Sequence, residues 1–80
     1  MRLDKYLKVT RIIKRRTVAN EACDAAHVTV NGRPAKASYA VKVGDILQIT
    51  FGARTLRIRV LEVKETVGKD AASSLYEVVE

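Results

Sequence analysis

Basic side chains recur along the first sixteen residues at a spacing that could hold a polyanion. Lys5, Lys8 and Arg11 follow one another every three residues, which makes them neighbours on one face of a helix. The basic run at residues 14–16 would extend that face toward a second helix. Because an arginine guanidinium can bind phosphate through two parallel hydrogen bonds, the pattern predicts a phosphate-binding surface.

The charge of the chain is unevenly distributed. The 80 residues carry a net charge of +6, and residues 1–36 hold nine Lys and Arg against three Asp and Glu, which accounts for all of it. Residues 37–80 hold six of each sign. Such asymmetry indicates a nucleic acid or an anionic membrane surface as the partner. The membrane alternative is weaker, because a membrane-surface helix needs a wide apolar face left free after packing.

Asp4 is the one acidic residue among the first twenty, and two interpretations of it stay open. It could be a favourable carboxylate in the first turn of a helix. It could instead pair with a nearby arginine such as Arg16 and fix that guanidinium for binding. Arg16 and Thr17 are expected at the start of the second helix, where backbone N–H groups and the helix dipole favour a phosphate.

Catalysis has little support in the sequence. Cys23 and His27 are the only cysteine and histidine, and two ligands do not make a structural zinc site. No glycine-rich phosphate loop is present. We therefore expect no enzyme, no cofactor and no metal. With one cysteine and no apolar run near the ~20 residues of a membrane span, we expect a cytoplasmic protein. Because Met1 leads directly into predicted structure, we also expect a complete chain.

The basic residues must be positioned by two helices. Leu3, Tyr6, Leu7 and Thr10 are spaced by three and four, which predicts the first helix. The second is expected to begin near Arg16 or Thr17. Its predicted apolar stripe consists of Val18, Ala19, Ala22, Cys23 and Ala26.

The rest of the chain predicts strands and turns. We expect strands at 28–30, 46–51, 55–63 and 75–79, turns at 44–45 and 52–54, and a loose loop at 65–74. Asn31-Gly32 favours a tight turn, and Pro34 keeps its strand at a sheet edge. The expected fold is α+β, with two N-terminal helices packed on a small, mostly antiparallel β-sheet of about four to five short strands.

Several side chains outside the helices have predicted supporting roles. Tyr6 is expected in the core and Tyr39 at the surface. The arginines of the strand at 55–63, together with Arg54, are expected to face solvent and to be offset by Glu62 and Glu65.

Four segments of the chain carry a family resemblance. They are residues 2–7 (Arg-Leu-Asp-Lys-Tyr-Leu), 16–19 (Arg-Thr-Val-Ala), 27–32 (His-Val-Thr-Val-Asn-Gly) and 41–45 (Val-Lys-Val-Gly-Asp). With their spacing intact over residues 2–50, they resemble the RNA-binding domain family of small-subunit ribosomal protein S-four. Arg15 stands where that family often has Ser, which predicts a helix cap moved to Thr17.

Within this family, the chain is most similar to members that act in bacterial ribosome-associated quality control. This resemblance rests on its free-standing length and on the segments 13–17 and 36–38. The resemblance implies one RNA-binding domain over residues 1–80 that docks on ribosomal RNA and tRNA of the large subunit. It implies stabilisation of peptidyl-tRNA on stalled subunits during alanine tailing, with RqcH as a partner. We expect a monomer. The predicted RNA-binding residues are Arg2, Asp4, Lys5, Lys8, Arg11, Lys14, Arg15, Arg16, Thr17, Arg33 and Lys36.

Three alternatives remain. The chain could be a heat-shock-type factor that recycles stalled subunits. It could be a basic protein-interaction module for an acidic partner, which digestion of the RNA would distinguish. It could also be the accessory segment of an RNA-modifying enzyme, which would need a catalytic domain beyond Glu80.

Overall fold

The computed structural model describes residues 1–65 and 68–79, and within them two helices precede all five strands. The helices are α1 (Leu3–Val9) and α2 (Arg16–Asp24). The strands that follow are β1 (Val28–Val30), β2 (Arg33–Pro34), β3 (Ile46–Phe51) and β4 (Arg54–Val60). A short helix α3 (Lys69–Ala72), a 3₁₀ turn (Ser73–Leu75) and β5 (Tyr76–Val78) come last.

Helix α1 packs through the face that its spacing predicts. Leu3, Tyr6 and Leu7 are fully buried, and burying each such side chain contributes roughly 1.5–3 kcal/mol. Thr10 is buried on the same face but stands just after the helix, where its hydroxyl donates to the Tyr6 carbonyl oxygen at 2.9 Å. The Tyr6 hydroxyl donates to the Leu75 carbonyl oxygen at 2.9 Å, which joins the C-terminal segment to α1.

Helix α2 contributes a narrower apolar face than the sequence predicts. Ala19 and Cys23 are buried and Ala22 is partly buried, but Val18 is 46% exposed. The prediction that Val18 belongs to the buried stripe is wrong, because Val18 lies about 100° around the helix from the buried Ala19. The same prediction for Ala26 is also wrong, since α2 ends at Asp24 and Ala26 lies exposed in a left-handed backbone conformation with φ 62°.

Across the described residues the strands form one antiparallel sheet in the order β2-β1-β3-β4-β5. Leu47 pairs with Ile58 at its centre, and both side chains are fully buried on the same face as the helices. Alternation then places Gln48 and Arg57 on the opposite face. The expected α+β fold is confirmed, and Pro34 stands in an edge strand as predicted.

The C-terminal quarter differs from its prediction. The segment expected as a loose loop at 65–74 contains α3 and most of the 3₁₀ turn, although positions 66–67 lie outside the described residues. Ala72 in this segment and Leu75 directly after it are buried, which is why the segment folds onto the core. Arg54, expected in a turn, is the first residue of β4. Among the described residues, no helix is long and apolar enough to cross a membrane.

Candidate nucleic-acid interface

The carboxylate of Asp4 organises the surface between α1 and α2. Asp4 lies in the first turn of α1, and its side chain is 3% exposed. Its Oδ1 accepts hydrogen bonds from the Lys5 backbone N–H at 2.8 Å and from Arg2 Nε at 3.2 Å. Its Oδ2 accepts from Asn20 Nδ2 at 3.3 Å and lies 3.4 Å from Arg16 Nε. One buried carboxylate thus holds two arginines that are fourteen positions apart.

The hydrogen bonds to Asp4 decide its charge. Burial alone raises the pKa of the Asp4 carboxyl, because it disfavours the charged form. The hydrogen bonds from Asn20, Arg2, Arg16 and the Lys5 backbone lower the pKa by more, so that it lies below its ordinary value of 3.8. Asp4 is therefore ionised at neutral pH and neutralises part of the charge of the two arginines that it holds.

The two arginines present polar groups at the surface while Asp4 fixes them. The side chains of Arg2 and Arg16 are 50% and 46% exposed. Together with Asp4, Thr17, Asn20 and Glu21 they line a shallow depression. Holding the Nε edge of each guanidinium leaves other N–H groups free to bind phosphate oxygens.

Asn20 and Glu21 belong to this depression and were not among the predicted site residues. Asn20 stands four positions after Arg16, so it lies on the same face of α2 one turn later. That spacing is the signal that could have identified it. Glu21 is exposed and brings the one other carboxylate of this depression.

The start of α2 differs from the predicted cap. Arg15, and not Thr17, occupies the cap position, with an extended backbone and no side-chain hydrogen bond to the helix. The prediction that the cap moves to Thr17 is wrong, because the helix already begins at Arg16 and Thr17 is its second residue. The first N–H groups of a helix lack partners within the helix, so the start of α2 offers donors beside Arg16.

The other predicted cations are not on one helical face. Lys8 lies exposed on α1, but α1 ends at Val9 and Arg11 takes φ 62° in the connection between the helices. The expected helical row of Lys5, Lys8 and Arg11 is therefore wrong for Arg11. Lys14 and Arg15 are also exposed in the connection. Lys5 is partly buried and forms an ion pair with Glu65.

The acids expected to offset the strand arginines lie elsewhere. Glu65 pairs with Lys5, and Glu62 pairs with Lys64 at 3.3 Å. Arg59 instead pairs with Glu77 across β4 and β5, while Arg57 donates to the neutral Gln48 side chain. The prediction that Glu62 and Glu65 neutralise the charge of these strand arginines is therefore wrong.

Cys23 has no geometry for catalysis. It is buried, and burial, with the nearby charges of Asp4 and Asp24, raises the pKa of its thiol to about 11. Among the described residues no group of three or more His, Cys, Asp and Glu side chains could hold a metal ion.

Comparison with known proteins accounts for most of the chain. The family model described as S4 domain matches residues 1–47, which is more than half of the sequence. This chain belongs to the S4 domain family. The predicted resemblance to the RNA-binding family of ribosomal protein S-four is confirmed.

Relatives of this S4 domain chain extend the similarity beyond residue 47. An RQC P-site tRNA stabilizing factor of Halalkalibacterium halodurans is 56% identical over 78 residues, which cover 98% of this chain and 89% of the relative. One of Streptococcus pneumoniae is 52% identical over 79 residues, which cover 99% of this chain and 90% of the relative. The predicted similarity to quality-control members of the family is confirmed.

A solved structure of similar fold is the trimeric heat shock protein 15 of Vibrio cholerae. It superposes with a TM-score of 0.92 at 29% identity, over 99% of this chain and 81% of that protein. The S4 domain match ends within β3, so β4, α3 and β5 lie beyond it. The agreement in fold nevertheless spans nearly the whole chain.

Proposed function

We propose that this chain is a non-enzymatic RNA-binding factor that docks on the large ribosomal subunit and stabilises the tRNA in its P site. The name of the relatives at 56% and 52% identity supports this proposal. The observation that carries it is the pair of arginines, Arg2 and Arg16, held by one buried carboxylate at a surface with excess positive charge. All residues from 1 to 80 act in this proposal as one RNA-binding domain.

The arginines bind the RNA backbone in this proposal. A-form RNA offers proteins its phosphates and 2′-hydroxyls more readily than its base edges, so recognition depends on shape and charge. Arg2, Arg16 and the free N–H groups at the start of α2 bind adjacent phosphates. The exposed side chains of Lys8, Arg11, Lys14 and Arg15 supply further charge along the same backbone.

The finer assignments belong to the same proposal. Ribosomal RNA and tRNA are both contacted, RqcH acts beside the chain during alanine tailing, and the chain is cytoplasmic and works as a monomer. The heat-shock alternative receives support from the similar fold of the Vibrio cholerae protein. Higher identity, and higher coverage of the relative's own length, favour the P-site tRNA factors.

Sedimentation with purified large subunits tests the proposal. We expect wild-type protein to sediment preferentially with subunits that carry peptidyl-tRNA, and Arg16→Ala to lose at least tenfold in affinity with a near-normal fold. Arg57→Ala is the matched control, because Arg57 is an exposed arginine on the opposite face of the sheet. Equal loss in both variants, or binding that survives digestion of the RNA, contradicts the proposal. Preference for empty subunits favours the recycling alternative.

Salt dependence gives an independent check. If about four to six phosphates are neutralised, log affinity falls with log salt at a slope of roughly −3 to −5. Binding that does not change with salt contradicts a phosphate-based contact.

A further inference from the structure

A second concave surface lies beside the hairpin of β1 and β2. Asn31, Arg33, Lys36, Ser38 and Tyr39 are among the residues that line it. Its volume of about 730 Å³ falls within the roughly 300–1,000 Å³ of clefts that hold small ligands. We call this surface, defined by these five residues, the hairpin groove.

The turn at one end of the hairpin groove is held in place. Asn31 and Gly32 have φ of 52° and 85°, the combination that a two-residue hairpin turn of this kind requires. The Asn31 side chain accepts the Ile46 backbone N–H at 3.0 Å and donates to Asp45 Oδ1 at 3.1 Å. These hydrogen bonds to Ile46, the first residue of β3, and to Asp45 before it fix the turn, and Arg33 directly follows that turn.

Tyr39 is fixed by the same carboxylate. Its hydroxyl donates to Asp45 Oδ2 at 2.8 Å, and Asp45 is 8% exposed. The ring of Tyr39 packs partly against the core, and the residue also lines the hairpin groove. An aromatic ring with its hydroxyl anchored loses little entropy when a flat ligand stacks on it, because it is already immobile.

The hairpin groove carries unbalanced positive charge. Arg33 and Lys36 are exposed, and within the described part of the chain neither forms an ion pair. Asp45, the carboxylate that holds the groove residues Asn31 and Tyr39, already accepts hydrogen bonds from both of these side chains and from the Lys42 backbone. The two cations thus remain available to an anionic ligand.

The hairpin groove adjoins the depression around Asp4. The Leu3 backbone N–H donates to the Tyr39 carbonyl oxygen at 2.8 Å, and the Asp4 N–H donates to the Ala37 carbonyl oxygen at 3.2 Å. Residues 37–39, which follow Lys36 in the chain, therefore lie against the first turn of α1, which contains Asp4. An RNA strand that occupied both surfaces would pass these residues between Arg2 and the groove.

We propose that the hairpin groove holds one unpaired nucleotide of the bound RNA, with its phosphate between Arg33 and Lys36 and its base against Tyr39. This rests on the proposed function and adds a single-stranded contact to it. Bases of unpaired RNA stack on aromatic side chains, and this contact tolerates any base. An acidic peptide could use the two cations but gains nothing comparable from the ring, so the combination favours RNA.

Fluorescence of 2-aminopurine tests the nucleotide contact, because its emission is quenched on stacking. The probe is an RNA hairpin with the label in its loop, compared with the same label inside a duplex stem. We expect quenching of the loop label and not of the stem label. Tyr39→Leu should abolish the quenching and weaken binding about fivefold or more, while Tyr39→Phe keeps the quenching because it keeps the ring.

Charge variants keep the test decisive if Tyr39→Leu proves unstable. Arg33→Ala and Lys36→Ala remove exposed side chains, and each should reduce the magnitude of the salt slope by about one. Arg57→Ala should leave the slope unchanged. Unaltered slopes in both groove variants, or quenching that survives Tyr39→Leu in folded protein, overturn the proposal.

The outcomes separate this proposal from the function on which it rests. Binding to large subunits without quenching of any loop label overturns the nucleotide contact alone. Quenching of the loop label without association with large subunits contradicts only the proposed function. Polyglutamate that competes equally well with wild-type and Tyr39→Leu protein would assign the groove to an acidic protein and overturn the nucleotide contact.

Discussion

Asp4→Asn distinguishes positioning of the arginines from simple charge. The substitution keeps the size of the side chain but replaces one acceptor oxygen by an NH₂ group. Whichever way the amide faces, it places a donor against Arg2 and the Lys5 N–H, or against Arg16 and Asn20. The variant also raises the net charge by one, so charge alone predicts tighter binding of RNA. Loss of positioning predicts weaker binding.

The magnitude follows from the burial of Asp4 and the exposure of its partners. Breaking hydrogen bonds to a buried charged group costs roughly 1.5–3 kcal/mol each, but Arg2 and Arg16 are about half exposed and water compensates them in part. We expect a loss of about 1–3 kcal/mol in the free energy of unfolding. Ordering each released arginine on RNA then costs about 0.5–1.5 kcal/mol. For the two arginines together this is about 1–3 kcal/mol, which weakens binding by roughly five- to 150-fold.

The pH dependence of stability has a definite sign. Because the folded-state pKa of Asp4 lies below its ordinary value of 3.8, the carboxylate stabilises the fold above that value. This contribution is lost as the pH falls through the lower, folded-state pKa. The difference in unfolding free energy between wild type and Asp4→Asn should therefore be constant from pH 7 to about pH 5 and shrink below about pH 4.

Urea unfolding and RNA binding measure the two effects, and Glu21→Gln is the matched control. Glu21 lies in the same depression and its replacement raises the net charge equally, but it is exposed. We expect Glu21→Gln to bind RNA as well as wild type or better, with stability almost unchanged. If Asp4→Asn also bound RNA more tightly, Asp4 would be a structural carboxylate only and the positioning argument would be refuted.

Two further predictions test the fold. Ala26→Gly should raise the free energy of unfolding by about 0.5–1 kcal/mol, because Ala26 has φ 62° after α2 and glycine adopts this backbone without strain. Ala25→Gly, at φ −86°, should lower it. If urea unfolding ranks the two variants the other way, this explanation of the helix end is wrong. Tyr6→Phe should lower the free energy of unfolding by only about 0.5–1.5 kcal/mol, because the Leu75 carbonyl oxygen still accepts hydrogen bonds from the Leu61 and Glu62 N–H groups. A larger loss of stability in thermal unfolding would show that these two hydrogen bonds do not compensate for the missing hydroxyl.

Local pattern was enough to predict most of the elements. Period-three and period-four spacing identified the buried face of α1, and alternation identified β3 and most of β4. The Asn31-Gly32 turn was also predictable, because few dipeptides accept positive φ at both positions. The end of α1 was not, since Arg11 is left-handed where glycine is usual, and the hydroxyl bonds of Thr10 and the burial of Ile13 keep the chain turned there.

Pairings between distant residues could not be read from local sequence. Lys5 pairs with Glu65, sixty positions away, and this contact withdraws one predicted cation from the free surface. Tyr39 and Asn31 both bind Asp45, whereas the sequence predicts Gly44-Asp45 only as a turn and as part of a family motif. A tertiary fold decides such contacts, and charge counted along the chain therefore misassigned the acids near Arg57 and Arg59.

The two interpretations of Asp4 are compatible, and the geometry explains why. A carboxylate in the first turn of a helix is held by nearby backbone N–H groups, and Asp4 Oδ1 accepts that of Lys5. Its other oxygen, which also accepts from Arg2 Nη2 at 3.4 Å, faces α2, where Arg16 and Asn20 lie one turn apart. The local bond fixes the carboxylate, and the fixed carboxylate can then orient Arg16. A residue that serves the helix alone would tolerate Asn, whereas one that also holds two arginines would not.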